Sequence, residues 1–154
     1  MRILIRKDNP TYVVANFTEK EIYNASYGHS GASFFMDKKV LVGGQIIRDY
    51  FGVPSDVNSS NRTRDHELLM GRSGESKHAL GLAMDYDYPD AILLKYHQEI
   101  LTKGKLYHLL RAAGITGFGL YDGFIHIDTR PEGGKQTDKY GTFAFWDRRA
   151  TTKK

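Results

Sequence analysis

Two short segments of the chain, residues 76–85 and 124–128, combine histidines and carboxylates with apolar neighbours. The first reads Ser-Lys-His-Ala-Leu-Gly-Leu-Ala-Met-Asp and the second Phe-Ile-His-Ile-Asp. Two imidazoles and one carboxylate are a ligand set that catalytic zinc sites use, with a water molecule in the fourth position. A fold that brings these segments together would create a metal site, and this possibility constrains the fold more than any other feature.

Alternation along the second segment predicts a strand with two different faces. Residues two apart in a strand point to the same side. Asp122, His126 and Asp128 therefore share one face if the strand is regular, whereas Ile125 and Ile127 point to the core. A ligand-bearing face backed by an apolar face is what a site built on a sheet requires.

Local patterns predict a single α+β domain in which helices pack on one side of a mostly antiparallel sheet. Thr18 and Glu21 form a capping box at a helix start, and Asp37 and Asp90 are predicted to cap later helices. An Asp-Gly turn is predicted to join two strands into a hairpin. The predicted strands cover residues 2–6, 82–88, 117–121 and 124–129, and helices are predicted at 67–70, 90–100 and 105–113.

The length of 154 residues suits one domain with a substantial core. We predict that this domain covers residues 1–147 and that a basic, flexible tail covers residues 148–154. The absence of cysteine excludes disulfides and thiolate ligands. No apolar run reaches the ~20 residues of a membrane span, and the N-terminal apolar stretch is too short for a signal peptide. We expect a monomer.

The net charge of +4 is mildly basic. Such an excess would favour an anionic partner, such as a cell-wall polymer, or would simply belong to a solvated surface. The sequence has no basic stripe interleaved with aromatic residues, so we do not expect nucleic-acid binding.

The pattern Ser-x-His-x-x-Gly-x-Ala-x-Asp, followed about forty residues later by His-x-Asp, resembles the zinc D-Ala-D-Ala carboxypeptidase-like murein peptidases. These enzymes share the hedgehog-type metallopeptidase fold. The resemblance covers residues 16–130. Residues 16–21 look like the opening segment of the family, residues 59–63 look like its arginine-bearing loop, and residues 117–121 look like the lead-in to its last metal histidine.

This resemblance implies one zinc ion per chain, bound by His78, Asp85 and His126. Asp85 taken alone could equally be a strand-end residue that binds backbone amides. A lone histidine is more often a surface or hydrogen-bonded residue than a ligand. That interpretation applies to the four histidines outside the motif, which are His29, His66, His97 and His108.

Three further residues are predicted to contact substrate. Arg62 matches the family arginine that binds a substrate carboxylate, a task suited to a planar guanidinium. The alternative for Arg62 is an ordinary surface position in a loop. Ser76 is predicted to form a hydrogen bond with substrate or with a loop amide. Tyr121 could stabilise the oxyanion of the tetrahedral intermediate, or it could be a buried aromatic residue.

Peptide hydrolysis also needs a general base. Related enzymes often use a carboxylate a few residues before the last histidine, but the third position before His126 is Gly123 and the fourth is Asp122. We predict Asp122 as the base. Asp128 is predicted to accept the N–H of a ligand imidazole and to fix its tautomer. The exchanged assignment remains open.

The resemblance implies a zinc peptidase that cleaves a bond next to a D-amino acid in peptidoglycan stem peptides or cross-links. An enzyme without a signal peptide would be made in the cytoplasm and reach the wall by a separate release route, as a phage or prophage endolysin does. The alternative is a zinc-containing, hedgehog-like binding domain without peptidase activity, which the departure at Gly123 would favour. The pattern leaves the cleaved bond open.

Overall fold

A computed structural model describes residues 1–74 and 76–150, which form a mixed α+β fold. The strands are β1 (Arg2–Ile5), β2 (Tyr12–Val14), β3 (Phe17–Thr18), β4 (Phe34–Asp37), β5 (Asp56–Ser59), β6 (Ala83–Asp87), β7 (Gly117–Leu120), β8 (Ile125–Asp128), β9 (Gln136–Asp138) and β10 (Gly141–Asp147). The helices are α1 (Glu19–Asn24), α2 (Lys38–Phe51), α3 (Arg64–Leu69), α4 (Asp90–Leu101) and α5 (Lys105–Ala112).

The main sheet has six strands in the order β5-β6-β8-β7-β10-β9. Its neighbours pair antiparallel, except that β10 runs parallel to β7. Two small antiparallel sheets, β1 with β4 and β2 with β3, complete the architecture. The predicted mixture of helices with a mostly antiparallel sheet is therefore confirmed.

Two predicted helix starts are confirmed at the level of single hydrogen bonds. The Thr18 hydroxyl accepts a hydrogen bond from the Glu21 amide at 3.1 Å, and the Asp37 carboxylate accepts one from the Lys39 amide at 3.1 Å. These caps satisfy amides that have no partner within the first helical turn. Helix α2 ends at Phe51, and Gly52 follows it in the left-handed conformation at φ 65°.

Two other helix starts differ from the prediction. Helix α4 begins at Asp90 itself, and its N-cap is Pro89, which makes no side-chain capping bond. Asp90 therefore lies in the first turn, where a negative charge is favourable because of the helix dipole. Helix α3 begins three residues earlier than predicted, because the Thr63 hydroxyl accepts a hydrogen bond from the His66 amide.

Helix α2 lies unusually close to one face of the main sheet. A Cβ atom at Gly44 would be 1.9 Å from the Tyr86 hydroxyl oxygen, and one at Gly43 would be 2.8 Å from Cδ1 of Ile127. The glycine pair interrupts the apolar pattern of α2 because the helix meets β6 and β8 there. The core beneath includes buried Met84, Tyr86, Phe118, Leu120, Ile125 and Ile127.

The segment after Asp128 contributes two strands that local patterns did not predict. β10 forms its parallel pair with β7, and the Arg148 amide donates a hydrogen bond to the Leu120 carbonyl at 2.9 Å. Arg149 is buried, and its guanidinium binds Asp147 through two hydrogen bonds. Of the predicted tail, residues 151–154 lie outside the described residues. No helix in the described part of the chain is long and apolar enough to span a membrane.

Candidate metal centre

His78, Asp85 and His126 lie together on the sheet face opposite α2 and form a possible metal site. The antiparallel register of β6 and β8 places Asp85 directly beside His126, and His78 lies in the turn that precedes β6. All three residues are buried, and their ligand atoms lie within 4.8 Å of one another. The two segments that carry the sequence motif are therefore brought together by the strand pairing.

The ring nitrogens of both histidines are oriented as metal ligands require. His78 donates its Nδ1 hydrogen to the Ser60 carbonyl at 2.7 Å, so Nε2 faces Asp85 Oδ2 at 3.3 Å. His126 donates its Nε2 hydrogen to Asp128 Oδ2 at 3.0 Å, and Nδ1 faces Asp85 Oδ1 at 2.7 Å. Since the outer nitrogen of each ring is held by an acceptor, the inner nitrogen can bind a divalent metal. The donor set fits zinc.

The electrostatics of the cluster favour a charged carboxylate and a proton on the metal-free histidine. Burial raises the pKa of Asp85, but hydrogen bonds from His126 and His78 outweigh burial, so this pKa lies well below its usual range. Burial lowers the pKa of His126, yet hydrogen bonds to Asp128 and Asp85 raise it to about 9. The raised pKa of His126 favours its protonated imidazole at neutral pH, and a metal bound at Nδ1 would have to displace that proton.

Zinc affinity should consequently rise with pH. Because the pKa of metal-free His126 is about 9, binding below that pH must release its proton. We expect the logarithm of the association constant to rise by about one per pH unit from ~7 to ~9 and then to level off. Competition with a chromophoric chelator across this range measures the slope. A constant affinity over the same range would contradict the assignment of His126.

Asp128 supports His126 and is itself held firmly. It is fully buried, and Arg130 binds both of its oxygens, with Nε at 2.8 Å from Oδ1 and a terminal nitrogen at 2.6 Å from Oδ2. Burial raises the pKa of Asp128, but hydrogen bonds from Arg130 and His126 lower it well below its usual range. A carboxylate in this state is a weak base, and its geometry suits the predicted supporting role.

Gly117 provides the space that Asp128 occupies. A Cβ atom at Gly117 would lie 2.0 Å from Asp128 Oδ1. We expect Gly117→Ala to destabilise the fold by about 1–3 kcal/mol, as overpacking does, and to weaken zinc binding by displacing Asp128. Thermal denaturation and chelator competition would measure the two effects. Gly123→Ala is the matched control, because a Cβ there meets no atom within 4 Å; equal behaviour of the two variants would exclude the steric explanation.

Arg62 and Ser76 converge on a residue that sequence analysis missed. The buried carboxylate of Glu67 accepts hydrogen bonds from Arg62 Nε at 3.2 Å and from the Ser76 hydroxyl at 2.5 Å. The Ser76 oxygen also accepts a hydrogen bond from the Ala79 amide at 3.3 Å. Glu67 thus ties the arginine loop to the segment that carries His78. Nothing in the sequence distinguishes Glu67 from an exposed glutamate on a short helix.

A cavity of about 350 Å³ opens beside the cluster. Asp85 lines it together with the cationic side chains of Arg62 and Arg72 and the aromatic ring of Phe124. Arg62 remains partly exposed here, since its side chain keeps 16% of its accessible surface. A negatively charged substrate group would therefore meet a guanidinium close to the metal ligands.

Tyr121 lies beside His126, whereas Asp122 points elsewhere. The Tyr121 ring packs edge-on against His126 at 6.4 Å, and its hydroxyl accepts a hydrogen bond from Trp146 Nε1 at 2.8 Å. Asp122 accepts a hydrogen bond from the Ala150 amide at 2.9 Å and lines a different cavity, next to α4. This differs from the prediction that Asp122 shares the strand face of His126, because β8 begins only at Ile125.

The four remaining histidines have partners of their own. His29 is hydrogen-bonded to Asn61, His97 to the Tyr121 carbonyl, and His108 to the Tyr140 hydroxyl. His66 stacks on Tyr27 at 5.2 Å at the edge of the cavity near the cluster. These contacts agree with the interpretation of all four as residues outside the metal site.

Comparison with known families adds one finding. The family model described as Peptidase M15 matches residues 15–128, which is more than half of the chain and includes all three members of the cluster. No curated protein and no solved structure matches the chain. Strands β9 and β10 lie beyond the matched residues.

Proposed function

Because the chain belongs to the peptidase M15 family, whose members are metal-dependent peptidases, we propose that it is a zinc peptidase acting on peptidoglycan. The bond that we propose lies next to a D-amino acid in a stem peptide or cross-link, and the biological role is that of a phage or prophage endolysin. The observation that carries the proposal is the buried cluster of His78, Asp85 and His126 within the matched residues. We also propose that the chain has the hedgehog-type metallopeptidase fold.

The three residues of the cluster would hold the zinc ion and leave its remaining coordination to water and substrate. A zinc ion supplies an activated water at neutral pH and polarises a carbonyl group. The residues around it have separate tasks. Asp128 fixes the orientation of His126, and Arg62 faces the cavity where a substrate carboxylate would bind. The Tyr121 hydroxyl, oriented by Trp146, is our proposed contact for the oxyanion.

The contacts of Asp128 and Asp122 suit neither carboxylate to act as the general base. Arg130 and His126 occupy both oxygens of Asp128. Asp122 would have to leave the Ala150 amide and rotate toward the cluster before it could act as the base. These contacts favour a second candidate function, which is a zinc-containing binding domain without peptidase activity.

Arg62→Lys should selectively weaken recognition of a substrate carboxylate. Lysine keeps a cation near buried Glu67 but loses the paired hydrogen bonds of a guanidinium. We expect kcat/KM to fall by about 1.5 kcal/mol, roughly tenfold, for a peptide with a free carboxylate. The same peptide with that carboxylate amidated should respond little. Arg64→Lys, at an exposed position, is the control. Equal losses of kcat/KM for the free-acid and the amidated peptide would show that Arg62 does not bind the carboxylate.

The proposed function is tested by digesting purified peptidoglycan and identifying the products by mass spectrometry. We expect new peptide termini next to a D-amino acid, their disappearance when a chelator is present, and their return when zinc is added. Cleavage that continues after complete metal removal would overturn the metallopeptidase mechanism. Tight zinc binding without any cleavage would favour the binding domain instead.

A further inference from the structure

We propose that Arg130 and Trp146 are positioning residues for His126 and keep its Nδ1 directed at the metal. Both lie beyond residues 15–128, the stretch that the family model matches. The inference rests on the proposed zinc site, because it concerns how one of the three ligands is oriented. It assigns a functional task to two residues of the segment that follows β8.

The first contact path runs through Asp128. His126 donates its Nε2 hydrogen to Asp128 Oδ2, and Arg130 binds both oxygens of the same carboxylate. The two parallel bonds from Arg130 fix the plane of the carboxylate as well as its position. Because Asp128 is fully buried, its carboxylate depends on donors from the protein, and the Arg130 side chain contributes two of these hydrogen bonds. Loss of the Arg130 side chain would leave Asp128 with only the amide of residue 130 and His126 as partners, so the carboxylate would be held less firmly and would orient His126 less well.

The second contact path runs through Trp146. The Arg130 guanidinium lies over the indole, 4.8 Å from its ring centre, and the indole packs against the His126 ring at 5.2 Å with a tilt of 56°. Trp146 therefore contacts both Arg130 and His126, the two residues that Asp128 links. Strand β7 makes room for it, because a Cβ atom at Gly119 would lie 2.7 Å from Cε2 of Trp146. Asp128 and Trp146 thus both contact the His126 ring, and Arg130 contacts both of them.

The end of strand β10 and the residues after it provide a matched ion pair for comparison. Arg149 binds both oxygens of Asp147, at 3.0 and 2.8 Å, with the same two-residue spacing that relates Arg130 to Asp128. Asp147 follows Trp146 directly in the strand, so the two side chains point to opposite faces of the sheet. Breaking this second pair should therefore cause the loss of folding stability that follows from removing an arginine–aspartate pair, while the contacts of His126 stay intact.

The experiment measures the zinc dissociation constant of the purified full chain by competition with a chromophoric chelator. We expect Arg130→Gln to weaken zinc binding by about 10- to 100-fold, the range for loss of a group that orients a ligand. Trp146→Leu should weaken binding by about tenfold, whereas Trp146→Phe retains an aromatic face and should lose less. Arg149→Gln should stay within about threefold of the original chain.

Three readouts separate this inference from the proposed function. If the unaltered chain binds no zinc, the proposed function fails first. If it binds zinc and Arg130→Gln and Trp146→Leu lower only the melting temperature, as Arg149→Gln does, the positioning role is overturned. Trp146 is the sole tryptophan in the chain, so its fluorescence reports on its own surroundings. We expect zinc to change that fluorescence; an unchanged spectrum while the competition assay shows binding would also contradict the contact with His126.

Discussion

Replacing His126 or His78 with alanine is expected to abolish stoichiometric zinc binding and to reduce kcat/KM by at least about a thousandfold. Each histidine would supply one of three buried ligands in the proposed site, and the remaining pair would not complete the set. A zinc ion held there would supply an activated water and polarise a carbonyl group, effects that are together worth several kcal/mol of transition-state stabilisation. Elemental analysis and peptidase assays on the same preparations would measure both effects.

The appropriate control for these variants removes a histidine that has a different partner. His108 lies on α5 and is hydrogen-bonded to Tyr140, so His108→Ala should retain one zinc ion per chain and near-normal activity. Thermal denaturation of each variant without metal distinguishes loss of a ligand from loss of the fold. Full zinc retention in both His78→Ala and His126→Ala would exclude the cluster as the metal site.

Asp128→Asn is expected to weaken zinc binding by about 10- to 100-fold, with activity restored in part by excess metal. Asparagine keeps the shape of the side chain but removes the charge to which both His126 and Arg130 are bound. A general base would behave differently, since its loss lowers kcat by about a hundredfold or more while zinc stays bound. Zinc titrations and assays at saturating zinc distinguish the two roles.

The same measurements on Asp122→Asn complement those on Asp128→Asn. We expect near-normal kcat, because the Asp122 carboxylate is bound to the Ala150 amide and lines the cavity beside α4. A hundredfold loss of kcat with zinc retained would instead support the sequence-based assignment of Asp122 as the base. It would also imply that the turn between β7 and β8 reorients when substrate binds.

The grouping of His78, Asp85 and His126 was predictable because these residues occur in a spaced motif, and strand pairing joins its two halves. The helix starts at Thr18 and Asp37 were predictable for a similar reason, since capping depends on residues three apart or fewer. Asp122 was misplaced because the alternation argument assumed a regular strand through residue 122, whereas β8 begins at Ile125.

The parts of the site that sequence analysis missed all depend on contacts between distant residues. Glu67 is recognisable only after folding, when Arg62 and Ser76 meet at its carboxylate. Trp146 reaches His126 only because β10 pairs parallel with β7, and no local pattern predicts which strand will become the neighbour of another. The same reason explains why β9 and β10 themselves were not predicted.

The tight fit between α2 and the back of the main sheet has a consequence for protein engineering. Exchanging a helical glycine for alanine is a common way to make a protein more heat-resistant, because alanine favours the helix. In α2 this exchange would act in the opposite direction, since a Cβ atom at Gly44 would overlap the Tyr86 hydroxyl. Tyr86 adjoins Asp85 in β6, so a helix forced outward would also disturb the spacing of the candidate metal site. Stabilised variants should therefore be sought at other positions.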